Sequence, residues 1–365
     1  MKFINKLLSK FVNVENGGDN FGVEAGINNG LIVIKNGLSY SDTKAICQDV
    51  VRDELCKYKA ESLTEAEQRN NDLFEMFAEK LSEKQMTDAQ ALVEFKNPAM
   101  QFDYFEAQKA YIKAGTPELA AILSDILVER VNESSRTLLQ IALGESIQVA
   151  PKLIPSQMAT LALAFVMKHT RRLTVNSHDT FVAFLCDTVL PIFRSDVSQK
   201  QSEFQHLNFT GCSQNAAIRN NLSELFLSTY AGLFMKGYLK DDLPNSETGV
   251  SLLEAYPQLF TKCLNDNQKW QVNAISSDSL KDTMDNQNIN QADRDIIESL
   301  FEKNKMAARE TEDLIISLVP DMCEVFDYWK NSHISILTLT SVGIVIGAQY
   351  AKLITKSEYN LSIWI

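Results

Sequence analysis

The sequence predicts a mainly α-helical protein, a multi-helix bundle with an N-terminal β-hairpin and short C-terminal strand elements. Three observations predict it. From Ser39 to Lys330, apolar side chains recur at helical spacing almost throughout. Strict alternation at Phe21, Val23, Ala25 and Ile27 precedes an Asn28-Asn29-Gly30 turn and a second apolar run, Leu31 to Ile34, which is a hairpin pattern. Near the end, the β-branched cluster Ile334 to Leu339 runs into Thr340 and Ser341, either of which can cap a following buried helix.

The elements follow in order. Phe3, Ile4, Leu7, Leu8, Phe11 and Val12 form one stripe of a short helix, with Lys2, Lys6 and Lys10 on its other face. The hairpin comes next; isolated, it is marginal in water, so it needs another strand from its own chain or a neighbour. Ser39 caps a helix carrying Ile46, Val50 and Val51. A charge-rich helix spans about Ser62 to Leu81, with Leu73, Phe74, Phe77, Ala78 and Leu81 as its apolar stripe. Pro98 starts a helix bearing Phe102, Phe105 and Ile112, and Gly115 stops it. Thr116-Pro117-Glu118 restarts the chain with a capping hydroxyl, a first-turn proline and an acid at the positive helix end. Leu119, Ile122, Leu123, Ile126, Leu127 and Val131 give that helix a full apolar face.

Further helices are expected near Arg136 to Gln148, from Ser156 through the all-apolar Met158 to Met167, over Phe181 to Phe193, and over Leu222 to Phe234. Ser195 to Asn221, Lys240 to Thr248 and Asn265 to Gln291 are polar and read as loops. The predicted division is residues 1–37, helix plus hairpin for assembly or membrane contact; 38–200, a first helical half; and 201–365, a second helical half with a strand-helix tail.

The 47 acidic against 35 basic side chains give a net charge of -12, which argues against broad nucleic-acid binding, since that needs clustered Lys and Arg on phosphates. The cysteines, Cys47, Cys56, Cys186, Cys212, Cys263 and Cys323, show no close pairing and read as reduced thiols of a cytoplasmic protein. The first helix lacks the apolar core of a secretory signal. Its lysine-striped pattern fits either peripheral contact with the inner face of the membrane or docking on the protein's own body or a sister subunit.

Between Lys330 and Lys352 no side chain is charged, and Gly343 and Gly347 stand at G-x-x-x-G spacing. Length alone suggests a membrane span, whereas the polar residues that dilute the run favour a strand and a buried helix. The last residues, Leu361 to Ile365, alternate around Ser362 and Trp364 and read as an extended tail bound to the body or to a partner.

The histidines show no metal-ligand spacing, and Ser177-His178-Asp179 lacks the context of a hydrolase triad, so neither a metal, a cofactor nor a catalytic residue is expected. Outside the N-terminus, cations concentrate at Lys168, His169, Arg171, Arg172 and Arg194; His169, Arg171 and Arg172 are the candidate contacts for an anionic ligand, with a solvated face as the plainer account.

These residues also carry a resemblance. Gly26 with the hairpin, Gly37-Leu38-Ser39-Tyr40-Ser41-Asp42-Thr43-Lys44, Phe105-Glu106-Ala107-Gln108-Lys109-Ala110-Tyr111, Leu339-Thr340-Ser341-Val342-Gly343 and the Leu361 to Ile365 tail together resemble an uncharacterised bacterial family of about this length. The Gly37 to Ser41 segment is similar to segments in proteins encoded near phage-defence genes. The tail resembles abortive-infection alpha-type proteins. The resemblance implies no active site. With the patterns above, it suggests a non-enzymatic, self-associating component of anti-phage defence, in which residues picked out by their spacing, Phe3, Ile4, Leu7, Leu8, Phe11, Phe21, Val23, Ile27, Gly343, Gly347 and Trp364, with Lys2, Lys6 and Lys10, would meet a second copy, a protein partner or a membrane. The alternatives are an enzyme with a cryptic phosphate-ligand site in the helical body and a membrane-disrupting effector.

Overall fold

The computed structural model describes residues 60–84, 94–133 and 135–365. The N-terminal helix and hairpin, with Lys2, Phe3, Ile4, Lys6, Leu7, Leu8, Lys10, Phe11, Phe21, Val23 and Ile27, lie outside them, as does the expected helix at Ser39. The described chain is mainly helical with a few short strands. It forms two compact units, divided between Lys152 and Leu153. The helix following Leu153 finds its main packing partner at residues 341–355.

The first unit holds α1 (Ala60–Glu83), α2 (Pro98–Ala114), α3 (Pro117–Asn132) and α4 (Leu138–Val149). Asn97 caps α2, its side chain accepting from the Ala99 N–H, and Gly115 ends it at φ +72°, with its amide on the Tyr111 carbonyl. A side chain at Gly115 would collide with the Arg69 guanidinium, which donates to the Ile112 carbonyl at 2.6 Å. The whole predicted stripe of α3 is buried. Its N-cap Thr116, however, makes no side-chain bond, so proline and helix geometry alone start the helix there. On α2 the buried face is Met100, Tyr104, Ala107, Gln108 and Tyr111, while Phe102 is exposed. Aromatic and amide groups turn inward there because they find partners: Phe77, Phe95 and Tyr104 meet with centroids 5.7–5.8 Å apart, and Gln108 donates to Asn70 at 2.6 Å. Two ion pairs at matching spacing, Lys80 to Asp125 and Lys84 to Glu129, tie α1 to α3.

The second unit begins with α5 (Pro155–His169), in which every residue from Gln157 to Met167 is buried. α6 (His178–Phe184) continues through a π turn at Leu185–Val189 into Leu190–Phe193. Pro191 has no amide to donate, and the ladder is already shifted before it, with the Leu190 N–H on the Leu185 carbonyl. Then come α7 (Gln201–Phe209), β1 (Ser213–Asn215), α8 (Leu222–Thr229), the single turn α9 (Leu252–Ala255), β2 (Phe260–Lys262), β3 (Trp270–Val272), α10 (Ser277–Asn286), α11 (Gln291–Lys303), α12 (Ala308–Leu318), α13 (Met322–Asn331), β4 (Leu337–Leu339) and α14 (Ser341–Thr355). The strands pair antiparallel as β1 with β4 (Ser213 opposite Leu339) and β2 with β3 (Phe260 opposite Val272).

Two polar stretches read as loops contain helices. α7 buries Phe204 and Leu207, and α10 buries Leu280 and Met284 and is started by a reciprocal cap between Ser276 and Ser279. The helix expected to reach Phe234 stops at Thr229, and Tyr230 leaves the helical conformation.

α14 runs along α5 at very close range. A methyl group at Gly347 would sit 2.7 Å from the Leu161 carbonyl oxygen and 3.2 Å from the Phe165 Cβ; one at Gly343 would sit 1.9 Å from the Cys212 oxygen. The G-x-x-x-G spacing therefore serves packing inside this unit. Thr340 caps α14 by accepting from the Gly343 amide, as expected of it. Among the described residues no helix is long and apolar enough to cross a membrane.

Candidate functional site

The cations expected to cluster around residue 170 take two directions. Lys168 turns inward: its Nζ donates to the Ile334 and Leu337 carbonyls, both at 2.7 Å, and lies 5.2 Å from the Trp329 ring centre. Burial lowers its pKa to about 8. These bonds satisfy carbonyls at the turn into β4, so Lys168 closes a gap in the fold. His169 is held near the Phe165 ring, 6.3 Å away and nearly parallel. Burial, and secondarily the Lys168 charge, lower its pKa from 6.5. Arg194 pairs with Asp321.

Arg171 and Arg172 face outward on the loop leaving α5. Arg171 Nη1 donates to the Ser276 hydroxyl at 3.0 Å and Arg172 Nη1 to the Ser357 hydroxyl at 3.2 Å. Among the described residues neither guanidinium is paired with a carboxylate, in a chain with an excess of acids. The loop itself is pinned, because the Arg172 N–H donates to the Tyr230 hydroxyl at 2.7 Å and the Thr170 hydroxyl to the Val166 carbonyl at 2.7 Å. Burial raises the Tyr230 pKa, opposed by that amide and by both arginine charges.

The C-terminal segment completes the surroundings. Lys356 turns the chain back at φ +57° after α14. Lys352 pairs with Glu358, and Tyr359 and Trp364 set their edges against Phe165 at 5.1 and 5.0 Å. The Trp364 indole N–H donates to the His169 carbonyl at 2.7 Å. Trp364 is thus engaged with its own unit, while its neighbour Ile363 stays exposed.

Sequence reasoning singled out the two arginines but not Tyr230, Ser276 or Ser357, which bond to them. Those partners lie 58 to 185 residues away along the chain, and none belongs to a motif. Ser177 and His178, which mimic part of a triad, have structural roles: the serine caps α6 and the His178 ring lies 3.1 Å from the Leu233 carbonyl. Among the described residues no group of His, Cys, Asp or Glu stands together to hold a metal ion, and Cys186, Cys212, Cys263 and Cys323 are free thiols.

Fold and site together define a mainly helical protein with a fixed, outward-facing arginine pair. A family model matches residues 37–365, and the chain belongs to that family, which is uncharacterised. No curated protein and no solved structure matches the chain.

Proposed function

We propose that this protein is a non-enzymatic binding component that takes up a phosphate-bearing anion on Arg171 and Arg172. One observation supports the reading above others: the exposed guanidiniums of two consecutive residues bond to serine hydroxyls and, among the described residues, pair with no carboxylate, although acids outnumber bases by 47 to 35. Hydroxyl partners fix the side chains while leaving their charge available, and guanidinium geometry matches phosphate oxygens. Binding to a pinned loop also avoids much of the ordering cost. The test is thermal melting of the full chain with inorganic pyrophosphate. A saturable rise in Tm is expected for the native protein and none for the Arg171→Ala/Arg172→Ala variant; equal shifts in both would refute the reading.

The lysine-striped pattern of residues 2–12 favours a second reading, self-association or peripheral membrane contact through residues 1–37, in the anti-phage setting that the resemblance implies. Light scattering and liposome flotation with and without residues 1–35 test it. Identical monomers without lipid binding in both cases would count against it.

A further inference from the structure

The two arginines lead directly into a turn whose tip is apolar. The Val175 amide donates to the Arg172 carbonyl at 3.1 Å, which leaves Leu173 and Thr174 at the tip. The turn is held on both sides. Before the tip the Arg172 N–H is bonded to the Tyr230 hydroxyl; after it Val175 is buried and the Asn176 amide donates to Thr180 Oγ1 at 3.1 Å. Leu173 is 85% exposed. A lone exposed leucine is ordinary on a protein surface, but the setting of this one is not. The fixed turn holds it away from the interior that Val175 joins, and the two side chains before it are exposed arginines that pair with no carboxylate among the described residues. Positive charge is also undiluted along this part of the chain: no Asp or Glu stands between Glu145 and Asp179, although the protein has 47 acidic residues. Glu358, next to the Ser357 that Arg172 reaches, is engaged by Lys352.

We propose that this turn is a contact with an anionic lipid bilayer, in which Arg171 and Arg172 take phospholipid phosphates and Leu173 enters the boundary of the acyl chains. The inference rests on the arginine pair being an anion site, and it names the source of the phosphate as a membrane surface. Consecutive Cα atoms lie about 3.8 Å apart, so the three side chains spring from a stretch of backbone no longer than about 8 Å. An interfacial contact reaches about 5–10 Å into a bilayer, so one headgroup layer can receive all three. Leu173 has little protein around it that a soluble ligand could share, whereas a bilayer supplies phosphate and hydrocarbon together. Each arginine near an anionic surface strengthens binding about fivefold, and burying the leucine adds about tenfold.

Sedimentation of the full-length protein with sucrose-loaded vesicles of phosphatidylglycerol and phosphatidylcholine tests this. The native chain is expected to bind these vesicles and to leave them as salt rises. Leu173→Ser should bind about tenfold more weakly, while Leu173→Phe, which keeps an apolar tip, should bind as the native chain does. Circular dichroism melting should give both variants the native Tm, since the side chain is exposed. Native-strength vesicle binding by Leu173→Ser overturns the inference and places the lipid contact elsewhere in the chain. No vesicle binding by the native chain, together with a pyrophosphate-induced rise in Tm that Arg171→Ala/Arg172→Ala abolishes, also overturns it, and leaves the anion site standing with a soluble phosphate as its ligand. Absence of both responses overturns the inference and the reading beneath it.

Discussion

The backbone N–H of Arg172 donates to the hydroxyl of Tyr230 at 2.7 Å, so one hydrogen bond joins the loop that leaves α5 to the residue that ends α8. Tyr230 is itself buried among Phe181 and Phe184. The arginine loop therefore takes its position from an aromatic cluster as well as from its own turn, in which the Val175 amide donates to the Arg172 carbonyl at 3.1 Å. Tyr230→Phe keeps the ring and removes the acceptor. We expect a loss of about 1 kcal/mol in urea denaturation and faster hydrogen exchange at the Arg172 amide. Unchanged exchange would show that the bond does not hold the loop.

Gly347 tests the α5–α14 contact, and Gly343 the contact of α14 with the chain at Cys212 before β1. Alanine at either position pushes a methyl group into backbone oxygen, at 1.9 Å for Gly343 and 2.7 Å for Gly347, and overpacking of this kind costs about 1–3 kcal/mol. Thermal denaturation should show both variants destabilised. Native stability of the Gly347 variant would mean that α14 does not approach α5 this closely, and of the Gly343 variant that it does not approach Cys212 this closely.

Asp293 contributes to the acid stability of the second unit. Burial pushes its carboxyl up, but bonds from the Tyr256 hydroxyl (2.7 Å), the Glu247 amide (2.8 Å) and Asn290 Nδ2 (2.8 Å) outweigh this, and its pKa falls below 3.8. A carboxyl whose pKa is lower in the folded chain stabilises above its unfolded value and loses that contribution as the pH falls through the folded one. Asp293→Asn should cost about 1–3 kcal/mol at pH 7, with the gap to the native protein closing below about pH 4. A gap independent of pH would contradict this.

His169 titrates in the opposite sense from a surface cation. With its pKa depressed by burial and by Lys168, the unfolded chain takes up the proton first as the pH falls below 6.5, so this residue's contribution to stability is lost in that window. Proton NMR of the imidazole should give a midpoint below 6.5, moving upward in Lys168→Met, which removes the neighbouring charge. A midpoint above 6.5 would restore His169 to the cationic site.

Much of the helical architecture was legible where burial follows one strong stripe. The α3 positions Leu119, Ile122, Leu123, Ile126, Leu127 and Val131 are all buried. The pattern misled on α2, where Tyr104 and Gln108 displaced Phe102 from the interior because they find partners on α1. α7 and α10 escaped notice because each buries only two residues and depends on its tertiary setting or a serine cap. At the candidate site, the cationic run from Lys168 to Arg172 was legible as charge. Its partition was not: Lys168 turns inward to carbonyls 166 and 169 residues away, and Trp364 bonds to His169 across 195 residues. Contacts of that span leave no local trace in spacing or composition.

The central claim is that Arg171 and Arg172 form an available anion site. It is tested most directly by following arginine Nε–H resonances of the full-length protein during titration with inorganic pyrophosphate. The account predicts saturable movement of the Arg171 and Arg172 signals, while those of Arg130, held by Asp103, and Arg294, held by Asp285, stay in place. Stationary Arg171 and Arg172 signals, or equal drift in all four, would contradict it.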